Sequence, residues 1–368
     1  MSWRYLAQRL PSGELIDVDL PLSGPAITST LSGPGAVTGT VPVEVPRLKG
    51  PDGRPLLEPW GSAIIAEADG QIRGYGIVTD DPSWNGQQWS IETTGFSGYL
   101  AELAYTGPEY AGVQVDPLDV LRRVWAHVQG EPGGDLGVLV DGTRSPVRIG
   151  TEPEQVEFST GDGEGVSFEA GPFKLNAWET DDLGRVVDEL AGSTPFDYVE
   201  ESRWDGERVV HRLRLGYPSI GRRQEDLRFV IGENVTAEPR LGAGVYASAV
   251  QVFGAGEGRD MVRSPVVTRD GGRLRRTLVI TDKAIKSRSA ASDRARAVLA
   301  LTAGGVRFDE LTITDHPHAP VGSFSVGDSI YLEGPTAWGG DLGAWVRVLE
   351  LTIRPDSPET MVARVEVE

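Results

Sequence analysis

The sequence predicts an α+β fold that is β-rich and divided into several parts. Three observations predict it. Short runs of alternating apolar and polar residues recur along the chain, each bounded by turn residues. The 47 glycines and 25 prolines are scattered, as many short strands joined by turns require. Only three stretches carry a helical stripe. At 368 residues the chain exceeds what one core usually holds, and its 39% hydrophobic residues suffice for packed cores.

Residues 1–107 read as strands. Leu15 to Leu20, Val41 to Val45, Ile72 to Val78 and Gln88 to Thr93 alternate, and Ala68-Asp69-Gly70-Gln71 and Asn85-Gly86 signal hairpin turns. Antiparallel strands at this spacing suggest a small barrel or sandwich. Residues 108–205 form an acidic, helix-bearing part. Asp116 caps a first helix and Pro117 suits its first turn; Leu118, Leu121, Val124, Trp125 and Val128 share one face, and Gly130 and Pro132 end it. A second helix is expected from Thr180, with the stripe Leu183, Val186, Val187 and Leu190 and a C-cap at Gly192. A hairpin follows, Phe196–Glu200 turning at Asp205-Gly206 and returning over Val209–Leu215.

Residues 206–368 form a second β-rich region. A buried strand is expected over 245–253 and an alanine-rich helix over 287–303, with Ala291, Ala295, Val298, Leu299 and Thr302 on one side. Strands are then expected over Val306–Thr314, Phe324–Glu333, Ala344–Ile353 and Thr360–Val367.

Composition excludes several functions. With no cysteine there are no disulfides and no thiolate metal sites. The start Met1-Ser2-Trp3-Arg4-Tyr5 lacks the charged-then-apolar run of a signal peptide, and no apolar stretch approaches the roughly 20 residues that span a bilayer. Synthesis in the cytoplasm without membrane insertion is the expectation. The net charge of −19 argues against a nucleic-acid-binding surface. That charge is uneven: 6 basic and 12 acidic residues in 1–107, 7 and 21 in 108–205, 22 and 21 in 206–368. Arginine outnumbers lysine 31 to 4, a bias that a GC-rich genome produces.

Candidate chemistry is sparse. Asp315-His316-Pro317-His318 is the nearest approach to a metal cluster, because histidines two apart on a strand share a face. The proline between them and the missing further ligand make a loop after a strand the plainer reading. Gly254-Ala255-Gly256-Glu257-Gly258 follows a strand, yet the polar run Arg259 to Arg276 behind it has no helical stripe, which a phosphate-cradling loop needs. Gly161-Asp162-Gly163-Glu164-Gly165 has the same weakness. The acid pairs Glu200-Glu201 and Asp181-Asp182 are expected by chance among 54 acids, and Arg269, Arg273, Arg275 and Arg276 suit a solvated loop. Trp89 and Trp125 lie in apolar patterns and read as core. No Gly-x-x-x-x-Gly-Lys-Ser/Thr or Gly-x-Ser-x-Gly is present, so no catalytic residue and no cofactor is expected.

Three stretches carry a family resemblance. The run Trp89-Ser90-Ile91-Glu92-Thr93-Thr94-Gly95-Phe96-Ser97-Gly98-Tyr99-Leu100 resembles the end of a first barrel, where a strand enters a short Tyr-Leu turn. Val245 to Gly254 resembles a central strand, although Ala247-Ser248-Ala249 stands where an asparagine is usual. The third is the alanine-rich helix followed by Leu311 to Asp315, by Val326-Gly327-Asp328-Ser329-Ile330 and by Trp345-Val346-Arg347-Val348. In this order they resemble the hub proteins of phage tail tips and contractile baseplates, called minor tail proteins in actinobacterial phages. The acidic segment 130–175 has no counterpart.

That resemblance implies two tube-like β-barrels with smaller helix-bearing subdomains. It implies a homotrimeric ring at the virion tail tip, assembled in the host cytoplasm. The ring would dock on the distal tail protein ring, hold the C-terminal end of the tape measure protein, and carry tail fibre or spike proteins. DNA would pass its channel on ejection. The acid of 108–205 reads first as a solvated face that aids solubility; the further expectation, drawn from the charge alone, is that part of it faces that channel. No catalytic residue carries over. The rival readings are a tail-associated cell-wall hydrolase and a host-glycan-binding tail adhesin.

Overall fold

The computed structural model describes residues 2–80, 83–84, 86–159, 165–237, 240–241, 247–256, 261–270, 274–281, 285, 287–301, 306–307, 310–335, 341–355 and 360–368. The class is α+β and β-rich, 14% helical and 45% strand. Among the described residues no helix is long and apolar enough to cross a membrane.

The first strands are β1 (Trp3–Arg9), β2 (Leu15–Asp17), β3 (Ser23–Thr30), β4 (Ala36–Val41), β5 (Ser62–Ala68), β6 (Gln71–Val78), β7 (Ser83–Trp84), β8 (Trp89–Ile91) and β9 (Thr93–Thr94). The alternation over Val41 to Val45 is not a strand beyond Val41. Pro42 and Pro46 remove two ladder donors there, and Val45–Arg47 is a 3-10 turn instead. The strand expected over Leu15 to Leu20 is likewise confined to Leu15–Asp17. Phe96–Leu100 is a second 3-10 turn, with Phe96 and Leu100 buried.

Next come β10 (Tyr110–Gly112), α1 (Pro117–Gly130), β11 (Val138–Val140), β12 (Glu154–Ser159), β13 (Gly165–Ala170), β14 (Phe173–Leu175), α2 (Leu183–Ser193), β15 (Asp197–Asp205) and β16 (Arg208–Gly216). The Asp116 carboxylate accepts the Leu118 amide at 3.0 Å and caps α1, whose striped face is buried as expected. α2 starts three residues later than expected. Asp182 supplies the cap by accepting the Arg185 amide at 2.9 Å, and Gly192 lies inside the helix.

The remaining elements are β17 (Arg223–Val230), β18 (Val235–Ala237), β19 (Arg240–Leu241), β20 (Ala249–Phe253), β21 (Val267–Thr268), β22 (Thr277–Thr281), α3 (Arg288–Leu301), β23 (Val306–Arg307), β24 (Glu310–Thr314), β25 (Ser329–Pro335), β26 (Asp341–Arg354) and β27 (Thr360–Val367). The run expected as one strand over Val306–Thr314 is two. β23 pairs β19, whereas β24 pairs β18 and β27. The strand expected from Phe324 starts at Ser329, because the chain first turns at Gly327, φ +89°.

Two compact units result, each discontinuous in sequence: residues 1–150, 173–237 and 309–368, and residues 151–172 and 238–308. The larger unit holds a five-stranded sheet, β2-β1-β5-β6-β9, and a ten-stranded sheet, β18-β24-β27-β26-β3-β4-β8-β7, from which β25 and β17 branch off β26. The run Trp89–Thr94 leaves one sheet as β8 and joins the other as β9, the corner by which sheets in orthogonal packing close on themselves. At this corner the Thr93 hydroxyl accepts the Val37 amide at 2.8 Å and donates to the Val37 carbonyl at 3.0 Å. β6 carries Gly74 and Gly76 where it crosses β3 and β4. A Cβ at Gly74 would stand 2.4 Å from Ile27 Cγ2, and one at Gly76 2.0 Å from Thr93 Oγ1, so only glycine permits this approach.

The C-terminal strands form a second barrel. Its order is β18-β24-β27-β26-β25-β17; β17 runs on into β18 through the turn bridged Ile231↔Val235, and the Arg228 amide of β17 donates to the His318 carbonyl just past β24 at 3.1 Å. Phe229 and Phe324 meet edge-on inside at 5.2 Å. The 14-residue β26 serves both sheet systems. Its first half pairs β25, and beyond a bulge at Val348/Glu350 its second half pairs β3. One core joins the first sheets to α1, α2 and the β15–β16 hairpin through residues such as Ile65, Phe96, Trp125, Leu183 and Leu213.

In the smaller unit β12 and β13 pair as a hairpin, and β20 lies between β21 and β22. The expected strand over 245–253 begins at Ala249, while 242–246 lie outside the described residues. Ala291, Ala295, Val298 and Leu299 of α3 pack on Val250 and Val252, as the alanine stripe predicts; Thr302, Gly304 and Gly305 lie outside the described residues.

Candidate functional site

The two histidines of Asp315-His316-Pro317-His318 fall on a turn directly after β24. The Ala319 amide donates to the His316 carbonyl at 2.9 Å, and Pro317 presets the turn at its second position. The imidazoles stand 4.8 Å apart, ring centroid to centroid. Asp315 does not join them; its carboxylate accepts the Val321 amide at 2.9 Å. Glu233 does, from the turn between β17 and β18. Its Oε1 lies 3.7 Å from His318 Nδ1 and 4.0 Å from His316 Nε2. One ligand atom from each of the three falls within 4.8 Å of the others. A carboxylate and two imidazoles are the donors that suit zinc and its neighbours.

The other sequence candidates disperse. After Gly254 the chain returns along its own strand, with a bridge Phe253↔Arg263, and no phosphate-binding helix follows among the described residues; 257–260 lie outside them. Gly165 opens β13 opposite Ser159, and 160–164 lie outside the described residues. Asp182 caps α2 and Asp181 pairs with Arg185. Glu201 pairs with Arg214 at 2.6 Å, whereas Glu200, on the opposite face of β15, is half-buried. Arg275 and Arg276 are exposed. Trp125 is core at 1% exposure, but Trp89 is half-buried against the exposed Trp84, 5.1 Å away. On β8 it is Ile91, at 1% exposure, that reaches the core.

Three arrangements are missing from the sequence reading. Glu200 accepts the amides of Gly35, at 3.0 Å, and Ser97, so one carboxylate ties the β3–β4 turn to the Phe96–Leu100 turn. Burial pushes its carboxyl above the usual range, opposed by those amides. Ser202 Oγ lies 2.9 Å from His211 Nδ1 beside a cleft of about 330 Å³ that Arg73, Tyr75, Glu200 and Arg214 also line. Hydroxyl and imidazole meet as a nucleophile and base would. Yet burial pulls the imidazole down to about 4, its ring is wedged against Tyr75 and Phe96, and among the described residues no carboxylate orients its second nitrogen. The pair reads as a cross-strand contact. Third, Asp328 accepts the Arg222 amide at 3.0 Å, the Gln224 side-chain amide at 2.7 Å and the Ser325 amide at 3.1 Å. The Val-Gly-Asp-x-Ile run is thus the joint that fixes β25 to the start of β17.

Sequence comparison finds no matching family model and no matching curated protein. Solved structures do match, over the whole chain. A 43 kDa tail protein of prophage MuSo2 from Shewanella oneidensis superposes with a TM-score of 0.59 at 14% identity, over 98% of both chains. The tail protein of Neisseria meningitidis MC58 gives 0.56 at 13%, over 100% of this chain and 97% of that one. The chain shares the fold of these phage tail proteins. A chain of the lidless PdpA–VgrG complex matches at 0.50 and 10%, covering 100% of this chain and 65% of its own. The likeness extends through both barrels and the smaller unit.

Proposed function

We propose that the chain is a structural hub of a phage tail tip. Three copies form a ring around a channel. Each copy contributes two barrel-like sheet systems, so that three chains offer six similar surfaces to the distal tail protein ring. The channel receives the C-terminal end of the tape measure protein and later the DNA, and fibres or a spike attach below. The carrying observation is the fold match from end to end with two tail proteins at 98% and 97% of their own lengths. The finer reading is a long-tailed phage of a GC-rich, actinobacterial host, supported by the arginine excess. Part of the acid of residues 108–205 faces the channel and repels DNA in transit, the duplex carrying one charge per roughly 1.7 Å.

Reconstruction of the virion tail tip tests this. Three copies in the ring are expected, with acids of 108–205 toward the axis. One, two or six copies in the ring would overturn the hub reading. A neutral or basic channel wall would overturn only the role of the acid.

A further inference from the structure

We propose that Glu233, His316 and His318 bind one divalent ion of the zinc class, and that this ion staples the seam of the C-terminal barrel. The seam is where the end strands β17 and β18 meet: no ladder pairs them among the described residues, and the turn that carries the bridge Ile231↔Val235 links them. Glu233 sits on that turn, and the histidines sit on the turn after β24, the strand beside β18. An ion held by all three joins the two turns.

Hydrogen bonds of its own hold the backbone of the site. The Thr314 amide donates to the Asn234 carbonyl at 3.0 Å, and the Arg228 amide to the His318 carbonyl at 3.1 Å. The buried Asn234 side chain holds its own turn, accepting the Val230 amide at 2.8 Å and donating to the Arg228 carbonyl at 2.9 Å. Binding therefore orders three side chains and no loop. Bonds of about 2.0–2.2 Å place neighbouring donors about 3.3 Å apart, so each donor atom moves inward by roughly an ångström. Side-chain exposures of 42%, 30% and 52% leave room for that movement and for water on the open side.

Two features oppose binding and set its strength. The His318 amide donates to His316 Nδ1 at 3.2 Å, and ligation through Nε2 requires that bond to break, with the proton moved to Nδ1. The positive charge of Arg228 acts on Glu233, although its hydrogen bond, 3.0 Å, goes to Glu333. Asp315 is engaged by Val321. An oxygen-only ion such as Mg²⁺ gains little from two imidazoles, which selects the zinc class.

Titration of the untagged full-length chain with Zn²⁺ in a calorimeter tests the proposal, with Mg²⁺ as the comparison and Co²⁺ absorption reading the donor set. One Zn²⁺ per chain is expected, with a higher melting temperature and no response to Mg²⁺. Glu233→Gln and His318→Ala should each weaken binding at least about tenfold, the loss that even outer-shell changes bring to metal sites. Asp315→Asn should bind as the native chain does. Equal melting temperatures without metal would show that the variants fold. The proposal is overturned by any of three results: no binding, full affinity in Glu233→Gln, or a Co²⁺ spectrum unchanged from the hydrated ion.

Discussion

The carboxylate of Asp197, at the start of β15, accepts a hydrogen bond from the guanidinium of Arg347 on β26. The same carboxylate oxygen accepts the Ile220 amide at 2.8 Å, and Arg347 also donates to the Ile220 carbonyl at 3.0 Å. Three segments far apart in sequence thus meet at one ion pair, whose side chains are 14% and 23% exposed. The arginine of the Trp-x-Arg-Val strand is a joint between the middle hairpin and the C-terminal barrel.

Arg347→Met should cost roughly 3 kcal/mol of stability, because it leaves a largely buried carboxylate without its cation. Arg347→Lys should recover less than half, since an ammonium cannot reproduce a fork that spans Asp197 and a backbone carbonyl. Urea unfolding measures both. A loss below about 1 kcal/mol for Arg347→Met would class the pair with surface ion pairs.

His211 makes stability depend on pH. Burial pulls its imidazole down to about 4, against about 6.5 in an unfolded chain. Between those values the unfolded chain binds a proton that the folded chain refuses. Its contribution is therefore complete above about 6.5 and is lost as pH falls toward 4, by at most about 3 kcal/mol. The double variant Ser202→Ala, His211→Phe removes the titrating ring and its hydroxyl partner together. Its stability should fall less steeply than that of the native chain from pH 6.5 to 4.5. Parallel curves would refute the assignment.

Gly221→Ala should cost about 2 kcal/mol or more. Gly221 has φ +100°, and its added Cβ would stand 2.0 Å from the Gly327 carbonyl oxygen, inside the joint that Asp328 fixes. Gly53→Ala is the comparison. Its φ of +77° brings the same kind of backbone strain, with nothing within 4 Å of the Cβ. It should cost about 1 kcal/mol, and equal costs for the two would show that the contact at Gly327 relaxes freely.

Purified protein should leave peptidoglycan uncut, with or without added Zn²⁺. Two arrangements could in principle do such chemistry, Ser202 with His211 and Glu233 with the two histidines. Soluble fragment release followed by mass spectrometry is the assay. Turnover that disappears in Ser202→Ala or in His316→Ala would replace the structural reading with a hydrolase.

Local signals were legible and long-range ones were not. α1 is readable to its ends because Asp116, Pro117 and Gly130 each act within one turn of the helix. The strand over Val41 to Val45 misleads because alternation reports side-chain faces and is blind to the donors that Pro42 and Pro46 lack. Alternation also says nothing about which strand lies alongside, so the pairing of β26 with β3 has no sequence signature. The metal cluster shows the same division. His316 and His318 are visible as a pair, whereas Glu233 joins them only because β17, β18 and β24 close one barrel. Ser202 and His211 escape the sequence for a register reason: the turn is Gly206-Glu207, one residue beyond the expected Asp205-Gly206, which would have set Ser202 opposite Val209.

The shared strand β26 bears on how the chain is made. The Thr28 hydroxyl meets Thr352 at 2.9 Å across 324 residues of sequence. A ribosome adding about 5–20 residues per second takes roughly 16–65 s to cover that distance. For that interval β3 has only β4 beside it, and its other edge is an unpaired row of amides and carbonyls of the kind that recruits strands from other nascent chains. Polysomes crowd several copies of this edge together. Holding the growing chain soluble until residue 354 has emerged is therefore a demand placed on the host's chaperones, and yield at high expression should track their supply more closely than it tracks the stability of the finished fold.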